Sequence, residues 1–213
     1  MQINGDTVIL GDGVNFIEAD YEKTPCEIKE AADFAKGCPE AIELLVKGII
    51  NGDENGNLRL FAPITRAEVV AMIARAEGWS VDSDARNVFS DTENHWSKAY
   101  VSKAVGRGII SGYGDSMFMP DAYLRIDEAW LIIFRLFGAS EEFINENSPG
   151  IEGMRIVNNH LFHAKILPTG SVGSVQNAVK DYVVRMLYNY MHTDATMEDL
   201  YAKNDVLVEQ SLD

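Results

Sequence analysis

Apolar residues recur at helical spacing in several separate stretches of the chain. Val69, Met72, Ile73 and Ala76 fall on one side of a helix, and Trp96, Tyr100, Val101, Ala104 and Val105 form a second stripe. Ile28, Ala31, Ala32 and Ala35 mark a helix over 27–36, and Ile156, Val157, Leu161 and Phe162 mark another over 154–162. A longer pattern through Val175, Val179, Tyr182, Val183, Met186, Leu187 and Tyr190 predicts a last helix, which Ser174 is placed to cap. Only the start has a period of two. There Thr7-Val8-Ile9-Leu10, Gly11-Asp12-Gly13 and Val14-Asn15-Phe16-Ile17 read as a β-hairpin. Glu198 to Asp213 predicts a short helix and then a tail carrying Val206-Leu207-Val208.

Start and stop signals fit these stripes. Thr65-Arg66-Ala67-Glu68 is a capping box, in which the Thr hydroxyl and the Glu carboxylate each satisfy an orphan N–H of the first turn. Gly78 and Gly108 end the helices that precede them. The signals repeat. Gly48-Ile49-Ile50-Asn51-Gly52 returns 60 residues later as Gly108-Ile109-Ile110-Ser111-Gly112, and the offset holds for Glu68 with Glu128, Arg75 with Arg135 and Gly78 with Gly138. Such a period means that one unit of helix, Gly-rich turn, extended stretch and capped helix has been copied. Each copy is too short to bury a good core alone. A third copy is degenerate: Ala164-Lys165-Ile166-Leu167 stands where Gly-Ile-Ile should be, and Arg185 aligns with Arg135 at an offset of 50.

Phe89-Ser90-Asp91, His95-Trp96, Gly108-Ile109-Ile110-Ser111-Gly112-Tyr113-Gly114-Asp115, Phe118, Pro120 and the first copy's Ile64-Thr65-Arg66-Ala67-Glu68 together resemble the S-layer homology (SLH) repeat. That family anchors bacterial surface proteins to the cell wall. The resemblance is good over 38–79 and 89–138 and poor over 150–192. It implies a mostly α fold: three SLH-type helical repeats in a pseudo-threefold prism, here with a small N-terminal β-hairpin. The expected division is a 1–25 extension, repeats over 26–79, 80–140 and 141–193, and a 194–213 tail. Ile49, Ile109 and Ile166 should then be buried alike.

Composition narrows the function. A net charge of −15 argues against nucleic acid and against adhesion to an anionic polymer through the overall field. An acidic wall polymer has to be held in a local pocket by a well-placed Arg. No apolar run is long enough to enter a membrane as a span. Cys26 and Cys38 are the two cysteines; if 27–37 is one straight helix they stand about 16 Å apart, which favours two buried thiols over a disulfide. The start Met1-Gln2-Ile3-Asn4-Gly5-Asp6 has neither the basic nor the apolar region of a signal peptide. The expectation is therefore a mature, trimmed chain or one not secreted by the general route.

Arg66 leads the candidate site residues. In the family the Arg of this motif meets an acidic or pyruvylated sugar of a wall polysaccharide, and a guanidinium suits a carboxylate through two parallel hydrogen bonds. The bland alternatives are a surface Arg or one paired with Glu68. Trp96 is either a sugar-stacking platform or a core anchor, and its place on the apolar stripe favours the core. Asp91 holds its loop or binds a sugar hydroxyl, with loop-holding preferred. Tyr113 and Asp115 sit in the Gly turn where they can line the same groove. The second copy has Arg125-Ile126-Asp127-Glu128 in place of the capping motif, so its hydroxyl cap is lost and its Arg stands one position early. Asp53-Glu54-Asn55-Gly56-Asn57 has the flavour of a calcium loop but lacks the bidentate Glu at the twelfth place. No catalytic triad, phosphate loop or zinc spacing is evident, and no cofactor is implied.

The expected function is non-catalytic wall-polysaccharide binding at the cell surface. The expected site is Arg66, Glu68, Asp91, Trp96, Tyr113, Asp115 and Arg125. The alternative is a structural subunit of a surface layer, filament or virion that keeps the fold with little sugar binding. The hairpin over 7–17, seen without another strand partner, carries an expectation of self-association or a partner protein.

Overall fold

The computed structural model describes residues 2–4, 7–9, 17–18, 38–53, 56–82, 84–140, 142, 144 and 177–196, the first three stretches by backbone alone. The chain divides into two units, Met1–Ala62 and Pro63–Asp213. The division falls inside the stretch expected as the first repeat.

In the first unit, β1 (Gln2–Asn4), β2 (Thr7–Ile9) and β3 (Ile17–Glu18) form an antiparallel sheet in the order β1-β2-β3. Val8 lies opposite Ile3 on one side and Ile17 on the other. This corrects the view that the 7–17 segment lacks another strand: β2 has a neighbour on both edges, with β1 and β3 as the edge strands of the sheet.

α1 (Pro39–Val46) starts with Pro at its first position, where the missing N–H is no loss. It ends in a Schellman turn. Gly48 takes a φ of +69°, its N–H bonds Leu45 C=O, and Ile49 N–H bonds back to Leu44 C=O. Cys38 is disulfide-bonded, which corrects the expected buried thiols; Cys26 and the helix assumed over 27–37 lie outside the described residues.

The second unit repeats this turn three times, the second of them 60 residues after Gly48. α2 (Arg66–Ala76), α3 (Lys98–Gly106) and α4 (Ile126–Leu136) each end at a left-handed glycine, Gly78, Gly108 and Gly138, in the same turn. Arg59 of the first unit and Met119 of the second share a left-handed backbone, φ +53° and +57°, and each accepts the N–H three residues ahead. Ile49 and Ile109 are both buried; Ile166 lies outside the described residues. α2 packs on α3 and on α5 (Lys180–His192), and α4 packs on α5.

The starts of α2, α4 and α5 are tied together. Ile64 N–H donates to Ala178 C=O at 3.0 Å, Ala178 N–H to Leu124 C=O at 2.8 Å, and Leu124 N–H to Ile64 C=O at 2.9 Å. These bonds close a ring. Single bridges flank it, Pro63 with Val179, Thr65 with Tyr123 and Arg125 with Asn177. All three ring residues are buried, so their backbone groups have to find partners within the chain.

The ring corrects the last helix. Val179 is extended and precedes α5, with no side-chain cap, so the helix cannot run from Ser174 through Val179. Ser174 itself lies outside the described residues. Leu124 matches Ala178, an offset of 54 (178 − 124) rather than 50. The slip of four residues is about one helical turn, which leaves the same apolar face inward and is invisible to periodicity.

Candidate Arg66 pocket

Arg66 is the first residue of α2, held there by the capping box. Thr65 Oγ1 accepts Glu68 N–H at 3.2 Å, and Glu68 Oε2 accepts Thr65 N–H at 2.8 Å. Arg66 is only 7% exposed. It is neither of the bland alternatives, since it is not on the surface and its partner is not Glu68. Its Nε donates to Phe118 C=O at 3.0 Å and its Nη2 to Ser111 C=O at 3.0 Å. Nη1 donates to Glu128 Oε1 at 3.0 Å and to Tyr113 Oη at 3.3 Å. The guanidinium also lies 4.6 Å from the ring centres of both Tyr113 and Phe118.

The second copy builds the other walls. Asp91 accepts backbone N–H bonds from Phe118 (2.9 Å) and Met119 (2.7 Å), which fixes the extended arm whose Phe118 carbonyl faces Arg66. Asp91 therefore holds its loop. Gly112 has to be glycine: a Cβ there would stand 2.2 Å from the Phe89 ring and 2.7 Å from Met117 O.

At the start of α4, Glu128 Oε2 accepts Arg125 N–H at 2.9 Å, so half of the capping box survives the loss of the hydroxyl. Asp127 Oδ1 supplies the missing half by accepting Glu128 N–H at 2.9 Å. The Tyr113 hydroxyl donates to Glu128 Oε1 in a short bond. Burial, and then this bond to Glu128, raise the Tyr113 pKa above its ordinary value. The result is a pocket of about 130 Å³ between Arg66, the 110–113 turn and one face of α4.

Arg66 and Tyr113 are the expected site residues that the structure brings together in this pocket. Glu68 is spent on its cap. Asp115 is exposed in a left-handed turn. Arg125 is exposed at the head of α4 and paired with Asp127, which raises its pKa. Trp96 is 55% exposed, which corrects its expected place in the core. It precedes the first residue of α3, with its ring 5.4 Å from that of His95 and 6.2 Å from that of Tyr100. His95 bonds Ser97 Oγ at 2.7 Å and Asp121 at 3.2 Å, yet Ser97 is fully buried and offers no accessible nucleophile. Among the described residues no cluster of His, Cys, Asp and Glu fits a metal, the 53–57 turn included as far as it is described.

Glu128 is the residue that the sequence did not mark. It stands 62 positions from Arg66 and reads as a cap alone.

Two segments of the chain match the S-layer homology domain. They are residues 36–70 and 88–124. The chain is 29% identical over 91 residues to the S-layer protein sap of Bacillus anthracis, a match covering 42% of this chain and 11% of that protein. It is 27% identical over 93 residues to a cellulosome-anchoring protein of Acetivibrio thermocellus, covering 42% and 21%. It is 26% identical over 97 residues to an uncharacterized cell wall amidase of Bacillus anthracis, covering 46% and 18%. In each case less than a quarter of the relative's own length is spanned. The first S-layer homology segment holds Arg66 and Glu68; the second holds Asp91, Trp96, Tyr113 and Asp115.

Proposed function

We propose that the chain is a non-catalytic module that binds a cell-wall polysaccharide and anchors a bacterial surface protein or assembly. The observation that carries this reading is that one pocket joins both S-layer homology segments: Arg66 comes from the first, Ser111 and Tyr113 from the second. Relatives named as a surface-layer protein and a cellulosome-anchoring protein support a place at the cell surface. The amidase shares only its matched stretch, and the buried Ser97 gives no support to catalysis here. The closed ring at Ile64, Leu124 and Ala178 is what the axis of a three-repeat prism would require.

Binding of the full chain to purified wall sacculi, with the secondary polysaccharide retained or stripped, tests the reading. Retention only on unstripped sacculi is expected. Trp96→Ala, whose side chain is mostly in water, should lower that retention about tenfold without changing the melting temperature, if the exposed ring stacks on sugar. Equal retention on stripped sacculi removes the polysaccharide as the ligand.

The full engagement of Arg66 within the chain favours a second reading, a structural subunit of a surface assembly with little sugar binding. No retention on either kind of sacculus is its expected result.

A further inference from the structure

We infer that Glu128 is the specificity-determining residue of the Arg66 pocket: it occupies the guanidinium as a carboxylate ligand of the chain's own, and an acidic sugar binds only by displacing it. The inference rests on the polysaccharide reading for its natural ligand, but not for its chemistry.

A guanidinium binds a carboxylate best through two parallel N–H bonds from one edge of its plane. Each edge of Arg66 already has a committed nitrogen. Nε is taken by Phe118 C=O, Nη2 by Ser111 C=O, and Nη1 by Glu128 Oε1 and Tyr113 Oη. The two backbone carbonyls are fixed parts of the arm and the turn. Among the described residues Glu128 is the one anionic partner, and its side chain, which lines the pocket, is 22% exposed.

Glu128 can serve its cap and Arg66 together because the cap uses only Oε2. At the head of α2, Glu68 Oε2 takes both donors of Thr65, its N–H and its hydroxyl. At the head of α4 the N-cap is Arg125, which has no hydroxyl to give. Glu128 Oε2 takes the Arg125 N–H, and Oε1 turns to Arg66 and Tyr113. Asp127 meanwhile accepts Glu128 N–H, so the helix start does not depend on Oε1. A rotation of the carboxylate that gives up Oε1 would free Nη1 for an incoming acid and leave the cap in place.

Glu128→Gln tests this on the full chain. Its amide oxygen can still accept Arg125 N–H, while its NH₂ turns a donor toward a donor at Arg66. Sodium acetate is the first probe, followed by the NMR signal of the Arg66 Nε–H group. Glu128→Gln should respond at an acetate concentration at least tenfold lower than the unsubstituted chain. Equal responses, or none in either, overturn the inference.

The second probe is purified acidic wall polysaccharide, in native form and with its carboxylates reduced to alcohols. Calorimetry should show the native form binding Glu128→Gln at least tenfold more tightly, and the reduced form binding both chains alike. A loss of affinity, or an equal gain for the reduced form, overturns the inference. If neither chain binds polymer while the acetate responses differ as expected, the polysaccharide reading falls and the assignment of Glu128 stands. Should Glu128→Gln fail to fold, Tyr113→Phe removes one donor to Oε1, spares the cap, and should shift the acetate response in the same direction by about threefold.

Discussion

Arg66 joins two roles that a mutation would ordinarily keep apart. It is the cation of the pocket and the clasp between α2 and the arm at Phe118. Truncation removes four hydrogen bonds and leaves Glu128 without its charge partner. Breaking a fully buried pair from one side costs about 3–5 kcal/mol, and here Glu128 is partly in water, so the cost lies at or below the lower end. Arg66→Ala should therefore lower stability by about 3 kcal/mol in urea unfolding, so a loss of binding in that variant alone says little about the sugar. Arg66→Lys keeps the charge but cannot span Phe118, Ser111 and Glu128 at once, and it should recover less than half of the loss. The sequence pointed to Arg66 through its motif and missed its partner, because a residue 62 positions away shows no spacing pattern. The cue was present in another form. A cap of this kind uses one carboxylate oxygen, Oε2, at Glu68 and at Glu128 alike, and leaves the other for a distant partner. Trp96 misled for a different reason: helical phase has no meaning for a residue that lies before the helix.

At the scale of elements, the turns and caps were legible, because glycine positions and the Thr-x-x-Glu spacing act locally. Thr65→Ala should cost about 1 kcal/mol by chemical denaturation, as N-cap losses do. The Gly112 turn is stricter. A methyl group at Gly112 would meet the Phe89 ring at 2.2 Å and a fixed carbonyl at 2.7 Å, so Gly112→Ala should cost about 1–3 kcal/mol. It should also shift the Phe89 ring signals in NMR. A Gly112→Ala variant as stable as its parent would mean that the arm at Met117 moves freely. The start of α5 was not legible. Its apolar stripe repeats every turn, so the pattern fixed a face without fixing the starting residue. The backbone ring at Ala178 set the start instead, and a ring between distant residues has no local signal.

Over the second unit as a whole, two of the three tyrosines of α5, Tyr182 and Tyr190, bond to different partners. Tyr182 accepts a bond from Trp130 Nε1 at 2.9 Å, and Tyr190 donates to Glu77 at 3.0 Å. Burial raises both pKa values above the usual 10.0, and the Glu77 carboxylate raises that of Tyr190 further. A raised tyrosine pKa means that the folded chain holds its proton more tightly than the unfolded one. The stabilisation is complete below about pH 10 and is lost as pH climbs toward the folded value. The melting temperature should fall steeply above pH 10, and Tyr190→Phe should flatten that fall. An unchanged slope would place the alkaline weakness elsewhere.

The three hydrogen bonds among Ile64, Leu124 and Ala178 also govern when the second unit can exist. A ring with two members has two loose ends. Ile64 and Leu124 leave the ribosome first, yet neither can complete its pairing until Ala178 follows. The ring therefore closes only once the chain has been made as far as Ala178. Ala178 thus supplies the link that closes the ring, 54 positions beyond Leu124 and 114 beyond Ile64.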